Sequence, residues 1–477
     1  MKKLLLFASV LLFAVSTASA SVNVVVKDTA TYASTSLYTF ENLWIQSKFS
    51  PFSNYPTDGY GLSTASCRGM AGKDGKILIC RREAAGTLIE KYMNKSNILV
   101  YDAITGNLDK TIPVPDSLFH QKDAVGDTLR VIGYPSNDIQ VDGAGNVILM
   151  SMTINLGTSP FVVAALKVDL TAGTVTQAKR VLNKAYPETT SGTNVVRFDA
   201  FNIYGNMFGN GYIMAPVAGT VTGLGDMVLR WNVVNGVANE AFIPIQIKKY
   251  VPSKTAKFND TAPRVKPISE TLFYLDGQQS YATLYDMDGN VVDSIRTALY
   301  PASPGNNGVD EFAIGTHNFI VYSHANTATL PFSSWAVAEL GAGMSLVNME
   351  RLYIFPKGGL GNTSNPVRTA VTYIDVVGTS AYIYVYGFAN GLAAYKLTLK
   401  PTAVNTPNTS KVTINVVNNR IQLSESVAKL DIFNTTGQKF ASAKNVATLG
   451  TKLGKGIYLV AITDINGDSK VQKVVVN

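Results

Sequence analysis

Between residues 60 and 400 the chain alternates short apolar runs with turns rich in Gly, Asn and Asp. The 3.6-residue spacing of an amphipathic helix is scarce, so the segment reads as strands joined by tight turns. The hairpins resemble one another. Met70 to Leu78, turning at Gly72-Lys73-Asp74-Gly75, aligns with Gln140 to Ile148, turning at Asp142-Gly143-Ala144-Gly145. Asp199 to Gly205 aligns in the same way with Asp310 to Gly315. A second hairpin type follows Tyr101-Asp102, Val168-Asp169, Trp231-Asn232 and Tyr285-Asp286, and its members are spaced by 67, 63 and 54 residues.

That period suits a four-stranded unit with loop insertions, repeated about six times. It places innermost strands near residues 68, 139, 200, 268, 312 and 371. The fold class expected is all-β, with a β-propeller of about six blades over 21–400. Closing the ring would protect strand edges that otherwise invite aggregation, and 37–49 is suited to closing it against 392–399. A pair of β-sandwiches is the rival architecture. A short helix or an insertion is expected at 83–93, and 333–340 is ambiguous between helix and strand.

The first twenty residues change the picture of where this fold works. Lys2 and Lys3 precede an apolar run from Leu4 to Val15 and the small residues Ala18-Ser19-Ala20, the pattern of a signal peptide cleaved before Ser21. The run is shorter than the ~20 residues that span a bilayer, and no cysteine follows the cleavage point to carry a lipid. No transmembrane segment is expected after signal removal. The protein is expected to be secreted or held at the outer cell surface, after export through the periplasm.

Charged residues make up only 16% of the chain, which suits strands and turns more than long solvated helices. The net charge of +8 is spread without basic clusters, so no nucleic-acid partner is expected. The two cysteines, Cys67 and Cys80, flank the first hairpin turn. A four-residue loop there would set them opposite one another, close enough for a disulfide in an oxidising compartment.

Residues 401–410, Pro-Thr-Ala-Val-Asn-Thr-Pro-Asn-Thr-Ser, read as a linker, and 411–477 as a separate small β domain. Three blocks there stand in order: Asp431 to Gln438, Leu453 to Val460, and Lys473 to Val476. Together they resemble the C-terminal sorting domain of the type IX (Por) secretion system of Bacteroidetes-type Gram-negative bacteria. The resemblance covers about the last 66 residues and implies an Ig-like β-sandwich read by secretion machinery. Val476-Asn477 departs from the basic ending common in that family.

Motifs for zinc peptidases, dithiol redox, α/β-hydrolases and phosphate loops are absent, so no cofactor or metal is expected. His317 and His324 suit structural roles better than a two-ligand site. Asp286 to Asn290 and Asp464 to Asp468 read as hairpin turns, since glycine falls at the fourth position rather than the sixth of a calcium loop. Trp44, Trp231, Trp335, Tyr55 and Tyr60 offer stacking platforms for sugars, although packing between blades is the commoner use of such residues. Asp-Ser/Thr pairs ending at Thr29, Ser117 and Thr261 resemble O-glycosylation acceptors of the same bacterial group.

Charge recurs where the innermost strands begin: Arg68, Asp138, Arg197, Asp199, Asp310, Glu311 and Arg368. In a propeller these starts converge on one mouth of the central channel. A mixed ring of carboxylates and guanidinium groups suits a polar ligand, and mutual pairing of the charges is the structural alternative. A polysaccharide, a peptide or a surface protein bound without chemistry is the expected partner. The alternatives are a glycan-cleaving enzyme using Asp199 with Asp310 or Glu311, and a structural matrix protein.

Overall fold

The structure is a computed structural model. It describes residues 27–47, 67–82, 96–122, 129–131, 135–152, 161–184, 197–218, 227–248, 263–277, 280–299, 308–325, 333–361, 369–400 and 410–476. The chain divides into two compact units, Met1–Leu399 and Lys400–Asn477. Apart from 3-10 turns at Asp116–Leu118 and Thr297–Leu299, the regular elements among the described residues are all strands.

The first unit contains six antiparallel sheets of four or five strands and a two-stranded ribbon, His120–Lys122 with Leu129–Val131. Each sheet begins with its innermost strand. These are Cys67–Lys73 in sheet 1, Asp138–Val141 in sheet 2, Asn202–Gly205 in sheet 3, Arg264–Pro267 in sheet 4, Val309–Ile314 in sheet 5 and Ala370–Val377 in sheet 6. The outermost strand of sheet 6 comes from the N-terminal side. Tyr38–Gln46 pairs antiparallel with Gly391–Leu399, from Tyr38 opposite Leu399 to Gln46 opposite Leu392, with a bulge between Asn42 and Trp44.

The innermost strand of sheet 1 touches those of sheets 2 and 6, that of sheet 3 touches that of sheet 4, and that of sheet 5 touches that of sheet 6. Those of sheets 2 and 3 run in a common direction. Asn137 of sheet 2 reaches the Asp199 carbonyl ahead of sheet 3, while Gly143 and Gly205 meet where the same two strands end.

The hairpins close with a repeated device in which an Asx side chain substitutes for a missing turn of backbone pairing. Asp142 Oδ1 accepts from the N–H groups of Ala144 and Asn146, with Gly145 at φ 78°. The same bonds recur at Asp286 to Asn290 and Asp464 to Asp468. Those two segments are therefore hairpin turns. No cluster of three metal-ligating side chains occurs among the described residues.

The core lies between sheets, because each sheet is apolar on both faces. Phe161, Phe198 and Trp231 pack between sheets 2 and 3, and Phe319, Trp335, Phe355 and Tyr395 between sheets 5 and 6. All three tryptophans are at most 1% exposed. They hold sheets together and offer no stacking platform, while Tyr55 and Tyr60 lie outside the described residues. The ambiguous stretch near 333 is the strand Ser334–Gly341. The segment 83–93, the signal segment and the linker residues 401–409 also lie outside.

The expected disulfide is not formed: Cys67 and Cys80 are both buried and unbridged. The hairpin register slips between Cys67 and Met70, so Cys67 faces Arg81. A one-residue slip sends side chains to opposite faces. Cys67 accordingly packs with Trp44 and Tyr386, and Cys80 with Ile98 and Val147 on the other face.

The second unit is a five-stranded antiparallel sheet. Arg420–Asn434 pairs with Ile414–Val417, Lys439–Thr448 and Gly456–Thr463, and the last of these pairs with Ser469–Val476. Ile421, Leu430, Ile432, Val460 and Ile462 form its core.

Candidate functional site

Where the innermost strands begin, the charged side chains meet as a buried layer of ion pairs. Asp199 accepts from Arg197 Nε and Nη2, both at 2.6 Å, and Arg68 Nη1 lies 3.6 Å from the same carboxylate. Asp138 is 0% exposed. It accepts from Ile139 N at 3.0 Å and from Arg264 Nη1 and Nη2 at 3.2 and 3.4 Å. The second guanidinium nitrogen also donates to the Arg68 carbonyl at 3.4 Å, tying sheets 1, 2 and 4 together. Burial pushes the Asp138 carboxyl up, and Arg264 and the backbone N–H groups pull it back.

Gly69 makes this approach possible. A Cβ there would stand 2.3 Å from Asp138 Oδ1 and 2.6 Å from Ile139 N.

Further along the same strands, past the ion-pair layer, lies a cavity of about 390 Å³. One wall is polar and spans sheets 4, 5 and 6. Lys266 Nζ is 2.6 Å from Asp310 Oδ1, and Thr372 Oγ1 donates to Asp310 Oδ2 at 2.7 Å. Glu311 also lines the wall and accepts from Tyr274 Oη at 2.9 Å. Its carboxyl is pushed up, chiefly by burial and further by the charge of Asp310, against the lowering effect of the tyrosine bond. The same stretches of chain also bring Ile268, Phe312, Tyr373 and Ile374, and sheets 1 and 2 bring Met70 and Gln140. A smaller space of about 40 Å³ reaches back to Arg264 and Asp276.

The residues expected at one mouth thus occupy two levels. Arg68, Asp138, Arg197 and Asp199 form the paired layer, Asp310 and Glu311 line the cavity, and Arg368 lies outside the described residues. The two histidines stand on one strand, His317–Ala325, rather than on neighbouring strands. His317 Nδ1 is 2.6 Å from Glu339, and His324 lies beside Arg351, where burial and that charge push it down to about 4.

Sequence reasoning missed Arg264 and Lys266, the cations that hold Asp138 and Asp310. The fourth innermost strand was expected near 268, yet it ends at Pro267. The usable signal was the alternation Arg264-Val265-Lys266-Pro267.

No family model and no curated protein matches this chain. Among solved structures, the chain shares its fold with a DUF4623 family protein from Bacteroides eggerthii, at 14% identity over 78% of this chain and 77% of that one, TM-score 0.51. A Penicillium chrysogenum α-L-arabinanase complexed with arabinobiose aligns at 12% identity over 76% of this chain and 99% of its own, TM-score 0.41. A Trypanosoma rangeli sialidase aligns at 10% identity over 91% and 88%, TM-score 0.37. The last two superpose too loosely to speak for fold or chemistry.

Proposed function

We propose that the protein is an exported six-bladed β-propeller that binds a polar ligand, a glycan or a peptide, in its central channel without transforming it. In this reading residues 411–477 are an Ig-like sorting module that delivers the protein to the cell exterior. The observation that carries the binding reading is the state of the carboxylates. Asp199 is held by two arginines and Asp310 by Lys266 and Thr372, so the acidic groups available to an acid/base pair are already engaged. Beside them is a cavity within the ~300–1,000 Å³ range of small-ligand sites, lined by polar and apolar groups together.

One observation favours a glycoside-cleaving enzyme instead. Glu311, pushed toward its neutral form in a cavity, has the character of a general acid. Screening the purified mature chain against glycan and peptide panels, for binding and for released product together, separates the two. Saturable binding with unchanged ligand supports the proposal. Product release that disappears in Glu311→Gln overturns it in favour of the enzyme. For the sorting module, deleting 411–477 in a host with type IX machinery is expected to strand the protein in the periplasm, and unaltered surface delivery would refute that role.

A further inference from the structure

Resting on the binding reading above, we infer that the cavity takes an uncharged, hydroxyl-rich sugar residue and discriminates against acidic sugars. Among the described residues lining the main cavity, Lys266 is the sole cation, and its ammonium is in contact with Asp310 at 2.6 Å. Arg264, at the edge of the smaller space, is turned to Asp138 and to the Arg68 carbonyl. Two carboxyl groups, Asp310 and Glu311, line the cavity with that single ammonium.

A uronate or sialic carboxylate would have to displace Asp310 from Lys266 while standing beside two carboxyl groups. Like charges at contact repel strongly in a partly desolvated site. A hydroxyl does not have this problem, since it donates to a carboxylate and accepts from an ammonium through the same oxygen. Apolar lining completes the match. A pyranose has hydroxyls at its rim and C–H groups on its faces, and Phe312 and Ile374 line the same cavity two residues along the strands that carry Asp310 and Thr372.

The test uses the full mature chain and calorimetric titration with two oligosaccharides of one linkage. One is neutral and one is oxidised to the uronate at C6. The neutral ligand is expected to bind at least tenfold tighter than the uronate. Asp310→Asn releases Lys266 from its partner, so the discrimination against the uronate is expected to shrink at least tenfold while the buried tryptophan fluorescence stays native. If this variant fails to fold, the comparison on the parent chain decides alone. Equal or tighter binding of the uronate overturns the inference and leaves the binding reading standing. Binding of no glycan at all, by a chain whose fluorescence is native, overturns the inference, and binding of a peptide in its place retains the parent reading.

Discussion

Replacing Arg264 by Met isolates the buried pair at the heart of the first unit. The substitution keeps most of the volume of the side chain and removes the charge, leaving Asp138, at 0% exposure, with only its backbone N–H donors. Breaking a buried pair by removing one partner costs about 3–5 kcal/mol. The loss carries a distinctive pH signature. The Asp138 carboxyl is already pushed up by burial, and without Arg264 it rises further above its unfolded value of about 3.9.

A group whose folded pKa is raised keeps its stability below the unfolded pKa and loses it as pH climbs to the folded one. The slope is about 1.4 kcal/mol per pH unit. As pH rises from 4 toward 7 the variant should therefore lose stability faster than the parent, whose Asp138 is raised less, by up to about 3–5 kcal/mol, the cost of the broken pair. The assay is urea unfolding at several pH values followed by tryptophan emission. All three tryptophans, Trp44, Trp231 and Trp335, are buried in the first unit, so the signal reports that unit alone. Adding Asp138→Asn removes the titrating group and should flatten the pH dependence. A penalty under about 1 kcal/mol at pH 7, or one that does not change with pH, would refute the reasoning.

Gly69→Ala should cost about 1–3 kcal/mol by overpacking, because its Cβ would meet the backbone of Asp138 and Ile139; the same urea titration checks it, and no shift in midpoint would count against the close approach. Cys67 and Cys80 should both alkylate when the chain is unfolded without reductant, and a mass unchanged by alkylation would restore the disulfide. In the second unit, the Ser442 hydroxyl, followed by Lys429 and Lys439, lowers Asp431 to about 2. That contribution is present above about pH 4 and lost as pH falls through about 2. Because both lysines are half exposed, Asp431→Asn should cost no more than about 1 kcal/mol at pH 7. Faster amide exchange across 429–444 reads the effect, and a difference from the parent that persists at pH 2 would contradict it.

The sequence by itself determined what depends on near neighbours. Alternating apolar runs and Asx-Gly turns specify hairpins locally, and their recurrence marked the innermost strands of sheets 1, 2, 5 and 6 within a few residues. The pairing of 37–49 with 392–399 was also readable, because both are unbroken strand patterns and a ring needs a last edge covered. The fourth innermost strand was expected one residue past its observed end, because its residues, Arg264 to Pro267, have little apolar character of their own.

Only the tertiary structure decided which charges meet. Asp138 and Arg264 are 126 residues apart, and no local pattern links them. Their contact joins the first strands of sheets 2 and 4, which the chain reaches far apart in sequence. The bulge that separates Cys67 from Cys80 has the same kind of cause. Counting along the hairpin aligned the two cysteines, but Gly69 packs against Asp138 of the next sheet, and the strand adjusts its register between Cys67 and Met70. Turn chemistry is settled within a few residues, whereas a buried ion pair or a shifted register is settled by whatever the fold carries in from far along the chain.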